Sequence, residues 1–151
     1  MPSRVYRGPE DRQPKTISNR TVNGALLPCT AVMVSATQFS QATSASGGRL
    51  ALLANRDFYG VSHFNATDPL LIAYTSGETG VAFVIEPGQE YQWAMAAGTY
   101  TTGQELTVGA SGHLTAAAAG NIVVAYFDGA GAALAAGALG DVVVAPFYTK
   151  A

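Results

Sequence analysis

The sequence predicts an all-β domain, built as a small barrel or sandwich. Short runs rich in Val, Leu, Tyr, Phe and Thr recur from residue 21 onwards, and these residue types are favoured in strands. Clusters of Gly, Pro, Asp and Ser separate the runs, as expected for turns. Each strand with its turn takes about ten residues, which is the spacing typical of sandwiches and barrels.

The predicted strands follow one another with short turns between them. They occupy residues 31–36, 38–42, 49–54, 70–74, 81–86, 90–95, 105–108, 112–116, 122–127 and 142–147. In the run at 90–95, Tyr91, Trp93 and Met95 alternate with other residues, which indicates a half-buried strand. The Ala-rich stretch 130–139 has higher helix propensity, but two glycines interrupt it. We therefore expect at most one short helix there.

Residues 1–20 differ in composition from the rest of the chain. They carry five basic and two acidic side chains, whereas residues 21–151 carry three basic and eight acidic ones. Gly8, Pro9 and Pro14 interrupt any helix in this segment. We therefore divide the chain into an extended basic N-terminal arm at 1–20 and a β-rich domain at 21–151. We expect the arm to be disordered in the free protein.

The charge of the arm has two interpretations. It is either a solvated tail or a basic arm that binds an acidic neighbouring chain. An arginine side chain can hold a carboxylate through two parallel hydrogen bonds. Arg4, Arg7, Arg12 and Arg20 are therefore the candidate contact residues of the arm.

The composition of the whole chain excludes several classes of protein. Of its 151 residues, 48% are hydrophobic and 12% are charged, which does not fit a disordered chain. No apolar run approaches the ~18 residues of a membrane span, and we expect neither a membrane contact nor a secretory signal. Residues 57–149 contain no Lys or Arg. The β-rich domain therefore lacks the basic surface that nucleic-acid binding needs.

Few side chains are available for catalysis. The histidines are His63 and His113, and the single cysteine is Cys29. Ser62, His63, Asp57 and Cys29 do not match the spacing of a known nucleophile set, and Cys29 is best explained as a small buried apolar residue. There is no cysteine pair, no His-x-x-x-His motif and no alternating acidic loop. We expect no enzyme activity, no metal and no cofactor.

Several short motifs follow one another in the second half of the chain. They are AAGTY at 96–100, GQELTV at 103–108, GHLT at 112–115, IVVAYF at 122–127 and GDVVV at 140–144, with an Ala-rich loop before the last one. In this order they resemble the head decoration, or cement, proteins of tailed bacteriophages. The resemblance covers about residues 80–147, and more loosely extends from Val22.

The resemblance implies a fold, a partner and a location. Such proteins are small β-barrels with a tulip-like fold, and they form homotrimers at threefold or quasi-threefold axes of the capsid. They brace neighbouring major capsid proteins on the outer surface of the virion after synthesis in the host cytoplasm. From the charge of the arm, we expect Arg4, Arg7, Arg12 and Arg20 to contact acidic groups or backbone carbonyls of the capsid.

Two other functions stay open at this stage. One is a different structural component of the virion or tail, such as an adaptor or a fibre-base module. The other is a small ligand-binding or enzymatic barrel, which would need a pocket that brings His63 or His113 together with carboxylates.

Overall fold

The computed structural model describes residues 4–56 and 68–151. It confirms the all-β prediction, because the described residues contain no helix of seven or more residues. The helical turns are short 3-10 segments, found at Glu10–Arg12, Pro69–Leu71 and Ala110–Gly112.

The first half of the chain forms a closed five-stranded barrel in the order β1-β3-β2-β4-β5. Its strands are β1 (Thr16–Asn23), β2 (Ala31–Val34), β3 (Gln38–Gln41), β4 (Arg49–Leu53) and β5 (Thr79–Phe83). β1 runs parallel to β3 and antiparallel to β5, which closes the barrel. The interior holds Val22, Val32 and Phe39, all fully buried.

The second half forms a five-stranded antiparallel sheet in the order β6-β12-β10-β8-β9, together with a separate two-stranded ribbon. The sheet contains β6 (Glu90–Ala94), β8 (Glu105–Val108), β9 (Leu114–Ala116), β10 (Ile122–Phe127) and β12 (Leu139–Thr149), and the ribbon pairs β7 (Gly98–Tyr100) with β11 (Ala132–Leu134). An isolated parallel bridge between Met95 and Leu114 connects the two outer strands of the sheet.

The barrel and the sheet pack directly against each other near Trp93. The Trp93 side chain is fully buried, and its indole N–H donates a 3.3 Å hydrogen bond to the carbonyl oxygen of Gly112. Gly112 has a φ of +67°, and a Cβ at this position would lie 2.6 Å from the carbonyl oxygen of Ala31 at the start of β2. Only glycine therefore allows this close approach between the two halves.

Two details of the predicted elements differ from the structure. Residues 70–74 were expected to form a strand, but they begin with the 3-10 turn Pro69–Leu71, whose N-terminus is capped by Asp68. The Ala-rich stretch stays within the expected limit of one short helix, and part of it forms β11, which pairs with β7. The prediction did not include β1 or β7, and β1 spans the expected boundary between residues 20 and 21.

Candidate functional site

The N-terminal segment 4–14, which we call the clip, lies along the outer edge of β6. The backbone N–H of Gln92 donates a 2.7 Å hydrogen bond to the carbonyl oxygen of Val5, and the N–H of Arg7 donates a 2.8 Å bond to that of Glu90. The clip thus adds a short antiparallel strand to an otherwise open sheet edge.

Apolar side chains of the clip pack into the body of the protein. Val5 and Tyr6 are only 2% and 8% exposed. The Tyr6 ring lies 5.5 Å from the Tyr91 ring and 6.5 Å from the Phe83 ring, measured between centroids. We call the surface formed by Phe83, Tyr91 and the edge of β6 the receptor groove. Two residues of the segment expected to be an extended arm thus belong to the hydrophobic core.

Two clefts border the clip. A cleft of about 720 Å³ lies between clip residues Pro9 and Arg12 and the β5–β6 turn near Glu86. A second cleft, of about 360 Å³, borders Arg4 and Gly8 on the side of Asn55 and Pro69. Within the clip, Val5, Tyr6 and Pro14 are buried and Arg7 is half-buried.

The four candidate arginines do not converge on one site. Arg4 forms a 3.0 Å ion pair with Glu10, and both side chains are largely exposed. Arg7 lies 3.8 Å from Asp141 of β12. The side chain of Arg12 is exposed.

Arg20 lies apart from the clip, in β1 of the barrel. Its Nε atom donates a 2.8 Å hydrogen bond to the carbonyl oxygen of Ser35. Arg4 and Arg12 are therefore the largely exposed members of the predicted set. Arg4 already pairs with Glu10, as Arg7 pairs with Asp141 and Arg20 with the Ser35 carbonyl.

The ribbon presents an exposed surface without charged side chains, and we call residues 97–103 and 130–137 the ribbon face. Gly98 and Thr99 of β7 and Ala132 and Ala133 of β11 are exposed. The turns beside these strands consist of Ala, Gly and Thr. Nothing in the sequence beyond the Ala and Gly content indicated that these two distant segments would pair into one surface.

A third surface feature is a bulge in β12 that displays an aromatic side chain. The pairing with β10 shifts between Val123 and Ala125. Phe147 lies in this bulge with a φ of +51° and is 40% exposed. A left-handed backbone is unfavourable for a bulky residue. The conformation that places this ring at the surface therefore lowers the stability of the fold locally.

Beside the bulge, two tyrosines and two charged residues form a hydrogen-bonded group. Tyr126 donates a 3.1 Å hydrogen bond to Tyr148, which donates a 2.7 Å bond to the Glu105 carboxylate. Lys150 lies 3.4 Å from the same carboxylate. The bond from Tyr148 lowers the pKa of Glu105, with a further contribution from Lys150 and an opposing one from burial. These side-chain bonds connect β8, β10 and the end of β12.

The residues considered for catalysis are not assembled into a site in the described part of the chain. Cys29 is fully buried, and burial, reinforced by the charge of Asp68, raises the pKa of its thiol. Partial burial lowers the pKa of His113. Asp57, Ser62 and His63 lie outside the described residues.

Metal and membrane contacts were also considered. Within residues 4–56 and 68–151, no group of three or more His, Cys, Asp or Glu side chains is placed to hold a metal ion. In the same ranges there is no helix with the length and apolar character needed to cross a bilayer. The described residues present three surface features: the receptor groove with its clip, the ribbon face and the Phe147 bulge.

Neither a scan against protein-family models nor a search of curated proteins finds a match to this chain. The sequence motifs at 96–100, 103–108, 112–115, 122–127 and 140–144 fall in β7, β8, β9, β10 and β12, so they belong to the sheet and the ribbon rather than to the barrel.

Proposed function

We propose that this protein decorates the outer surface of a tailed-phage capsid and stabilises it by bridging neighbouring major capsid proteins. It acts as a homotrimer at threefold or quasi-threefold axes. It performs no catalysis and needs no cofactor, and its partners are the capsid and other copies of itself. The resemblance of residues 80–147 supports this role, as does an all-β fold that offers strands and edges for contact.

The single observation that carries the proposal is the ribbon face. A surface without charged groups can be covered by another chain without removing an ion from water, which is costly. Its Ala and Gly residues lose almost no side-chain conformational entropy when they become fixed. Small side chains also allow a neighbouring backbone to come close. These properties suit a permanent contact in a rigid shell.

Charge supports the second part of the proposal, which concerns the capsid contact of the N-terminal arginines. Arg4 and Arg12 are exposed on the clip and can bind carboxylates of a neighbouring chain. Arg7 and Arg20 would extend their present contacts toward the same partner. Exposed ion pairs weaken as salt is added, so this part of the binding should be salt-dependent.

A pair of matched variants tests the role of the ribbon face. Ala133→Glu places a charge at an exposed position of β11, and Ser18→Glu does the same at an exposed position of β1. The measurement is the number of copies bound per capsid, using capsids of the encoding phage assembled without this protein. We expect the Ala133→Glu variant to bind at least tenfold more weakly, while Ser18→Glu binds like the parent.

Urea unfolding distinguishes a loss of capsid binding from a folding defect. Both variants should unfold at the same urea concentration as the parent, because both positions are exposed. Equal decoration by both variants would show that the ribbon face is not the contact. Failure of the unmodified protein to bind capsids would overturn the proposed function itself.

A further inference from the structure

We propose that Asn23 is a site of spontaneous covalent modification, at which the side-chain amide is lost and aspartate or isoaspartate is formed. Asn23 is the last residue of β1, and Gly24 follows it. The reaction needs only the peptide nitrogen of Gly24 and one molecule of water. Its product carries one more negative charge at this end of the barrel, on a chain whose formal net charge is −2.

The reaction passes through a cyclic imide. The deprotonated amide nitrogen of Gly24 attacks the side-chain carbonyl carbon of Asn23, a new C–N bond forms, and the side-chain nitrogen leaves as ammonia. Water then opens the ring at one of its two carbonyls. Opening at the side-chain carbonyl gives aspartate, whereas opening at the backbone carbonyl gives isoaspartate, whose main chain runs through the former side chain. One water is consumed and one ammonia is released, without oxidation or reduction.

The structure leaves both reacting groups accessible. The Asn23 side chain is exposed, and within residues 4–56 and 68–151 it forms no hydrogen bond. Gly24 has a φ of +103°, and a Cβ built there would meet only Leu26 Cδ2, at 4.0 Å. Because glycine has no Cβ and moves freely between backbone conformations, the Gly24 nitrogen can turn toward the Asn23 side chain.

One hydrogen bond restrains the attacking nitrogen. The N–H of Gly24 donates a 3.1 Å bond to the hydroxyl oxygen of Ser76, and this bond is exposed to solvent. Water competes for both groups of such a bond, so its net contribution is modest. The bond therefore slows the attack on Asn23 without preventing it.

Two other exposed asparagines lack this combination of features. The side-chain oxygen of Asn19 accepts a hydrogen bond from the guanidinium of Arg20, the residue that follows it. The side-chain oxygen of Asn121 accepts a 2.8 Å bond from the N–H of Ala118, and the next residue is the β-branched Ile122. In both cases the side-chain amide is held and the following nitrogen belongs to a bulkier residue, so attack should be slower.

The modification should alter the end of β1 while the barrel stays folded. The carbonyl oxygen of Val22 accepts a 2.8 Å hydrogen bond from the N–H of Gly77, and the N–H of Val22 donates a 2.8 Å bond to the carbonyl oxygen of Glu78. The extra main-chain atom of isoaspartate follows these bonds in the chain. It displaces Gly24 and its bond with Ser76, whereas Val22 keeps both of its bonds.

Peptide mapping of the intact protein after incubation in mildly alkaline buffer tests the proposal. Trypsin cuts after Lys15, Arg20 and Arg49, so Asn23 is the single asparagine of peptide 21–49 and Asn19 that of peptide 16–20. We expect peptide 21–49 to lose its amide about tenfold faster than peptide 16–20, because only Asn23 precedes a glycine. Mass spectrometry measures the loss, and enzymatic methylation specific for isoaspartate identifies the second product.

Two variants and an unincubated sample complete the test. Asn23→Gln should keep its amide, because its longer side chain would have to close a less favourable ring. Ser76→Ala, at an exposed position, should react faster than the parent, since the Gly24 nitrogen is no longer held. Urea unfolding checks that both variants are folded, and the unincubated sample measures reaction during digestion. Equal rates for the two peptides, or aspartate without isoaspartate, would overturn the proposal, and an unchanged rate in Ser76→Ala would refute the restraining role of that bond. None of these results bears on capsid binding.

Discussion

The close approach at Gly112 can be tested by adding one methyl group. In Gly112→Ala, the new Cβ would lie 2.6 Å from the carbonyl oxygen of Ala31, at the start of β2, and 2.6 Å from the side-chain Cγ2 of Thr30. Backbone cannot give way as a flexible side chain can, so the barrel and the sheet must move apart. Overpacking of this kind costs about 1–3 kcal/mol.

A second cost comes from the backbone conformation of Gly112. A residue with a Cβ in the left-handed region is less stable by about 1–2 kcal/mol. The two costs together amount to about 2–5 kcal/mol. For a chain of this length each kcal/mol lowers the melting temperature by roughly 2–4 °C. We therefore expect a decrease on the order of 4–20 °C.

Gly103→Ala separates the two costs. Gly103 also has a positive φ, +82°, but nothing lies within 4 Å of a Cβ built there. This variant should therefore lose only the backbone cost, about 1–2 kcal/mol. The difference between the two variants measures the clash between the barrel and the sheet.

Urea unfolding followed by tryptophan fluorescence suits the comparison. Trp93 is the single tryptophan of the chain and donates its hydrogen bond to Gly112, so the probe lies at the junction. Linear extrapolation to zero urea gives the free energy of unfolding. If the slope of that free energy against urea concentration is unchanged, the variants and the parent unfold by the same process. If Gly112→Ala lost no more stability than Gly103→Ala, the described packing of the barrel against the sheet would be wrong.

Three further variants test the surface features. Tyr148→Phe should raise the pKa of Glu105 toward its ordinary value of 4.5, as measured by carboxyl NMR titration. Because the pKa of Glu105 is lowered in the folded state, its ionised carboxylate stabilises the fold at pH values above the ordinary pKa. This stabilisation is lost as the pH falls through the folded-state pKa. The parent should therefore lose more stability on acidification than this variant, and equal losses would contradict the assigned bond. Tyr6→Ala should cost about 3–5 kcal/mol as a buried aromatic and Tyr6→Phe only about 1 kcal/mol for its hydrogen bond; equal unfolding midpoints for both would show that the ring is not buried. Phe147→Gly should be more stable than Phe147→Ala by about 1 kcal/mol, because both lose the partly covered ring and only glycine relieves the left-handed backbone; equal midpoints in urea unfolding would contradict the strained backbone.

The fold class and most of the strands could be predicted because their signals are local. The alternation in β6 and the Val-rich run in β10 each define a strand within six residues. The turns around them contain Gly and Pro with the required backbone freedom. Local propensity and tertiary pairing agree in these segments, so the predicted and observed ranges differ only at their ends.

The elements that the prediction did not include depend on distant partners. β1 is largely polar, and only Ile17 and Val22 of its residues are buried, so its strand character comes from pairing with β3 and β5. β11 is an alanine-rich segment whose propensity favours a helix, and pairing with β7 overrides it. Neither partner can be identified from the residues of the strand itself.

The candidate surfaces were harder to predict for the same reason. Val5 and Tyr6 are two apolar residues in a polar segment, and that pair was the available signal that the segment packs against something. The groove that accepts them, formed by β5 and β6, lies more than seventy residues further along the chain. The ribbon face likewise joins two segments that lie about thirty residues apart.

The most direct test of the proposed function is an image of the virus particle. Electron cryomicroscopy of the encoding phage, with and without this gene, should show added density at threefold or quasi-threefold positions only when the protein is present. We expect density for three copies at each position. The barrel and the sheet should fit into the density of each copy, and its ribbon face should be covered by another chain. Particles with identical surfaces in both preparations, or density from isolated copies at a tail or vertex, would contradict it.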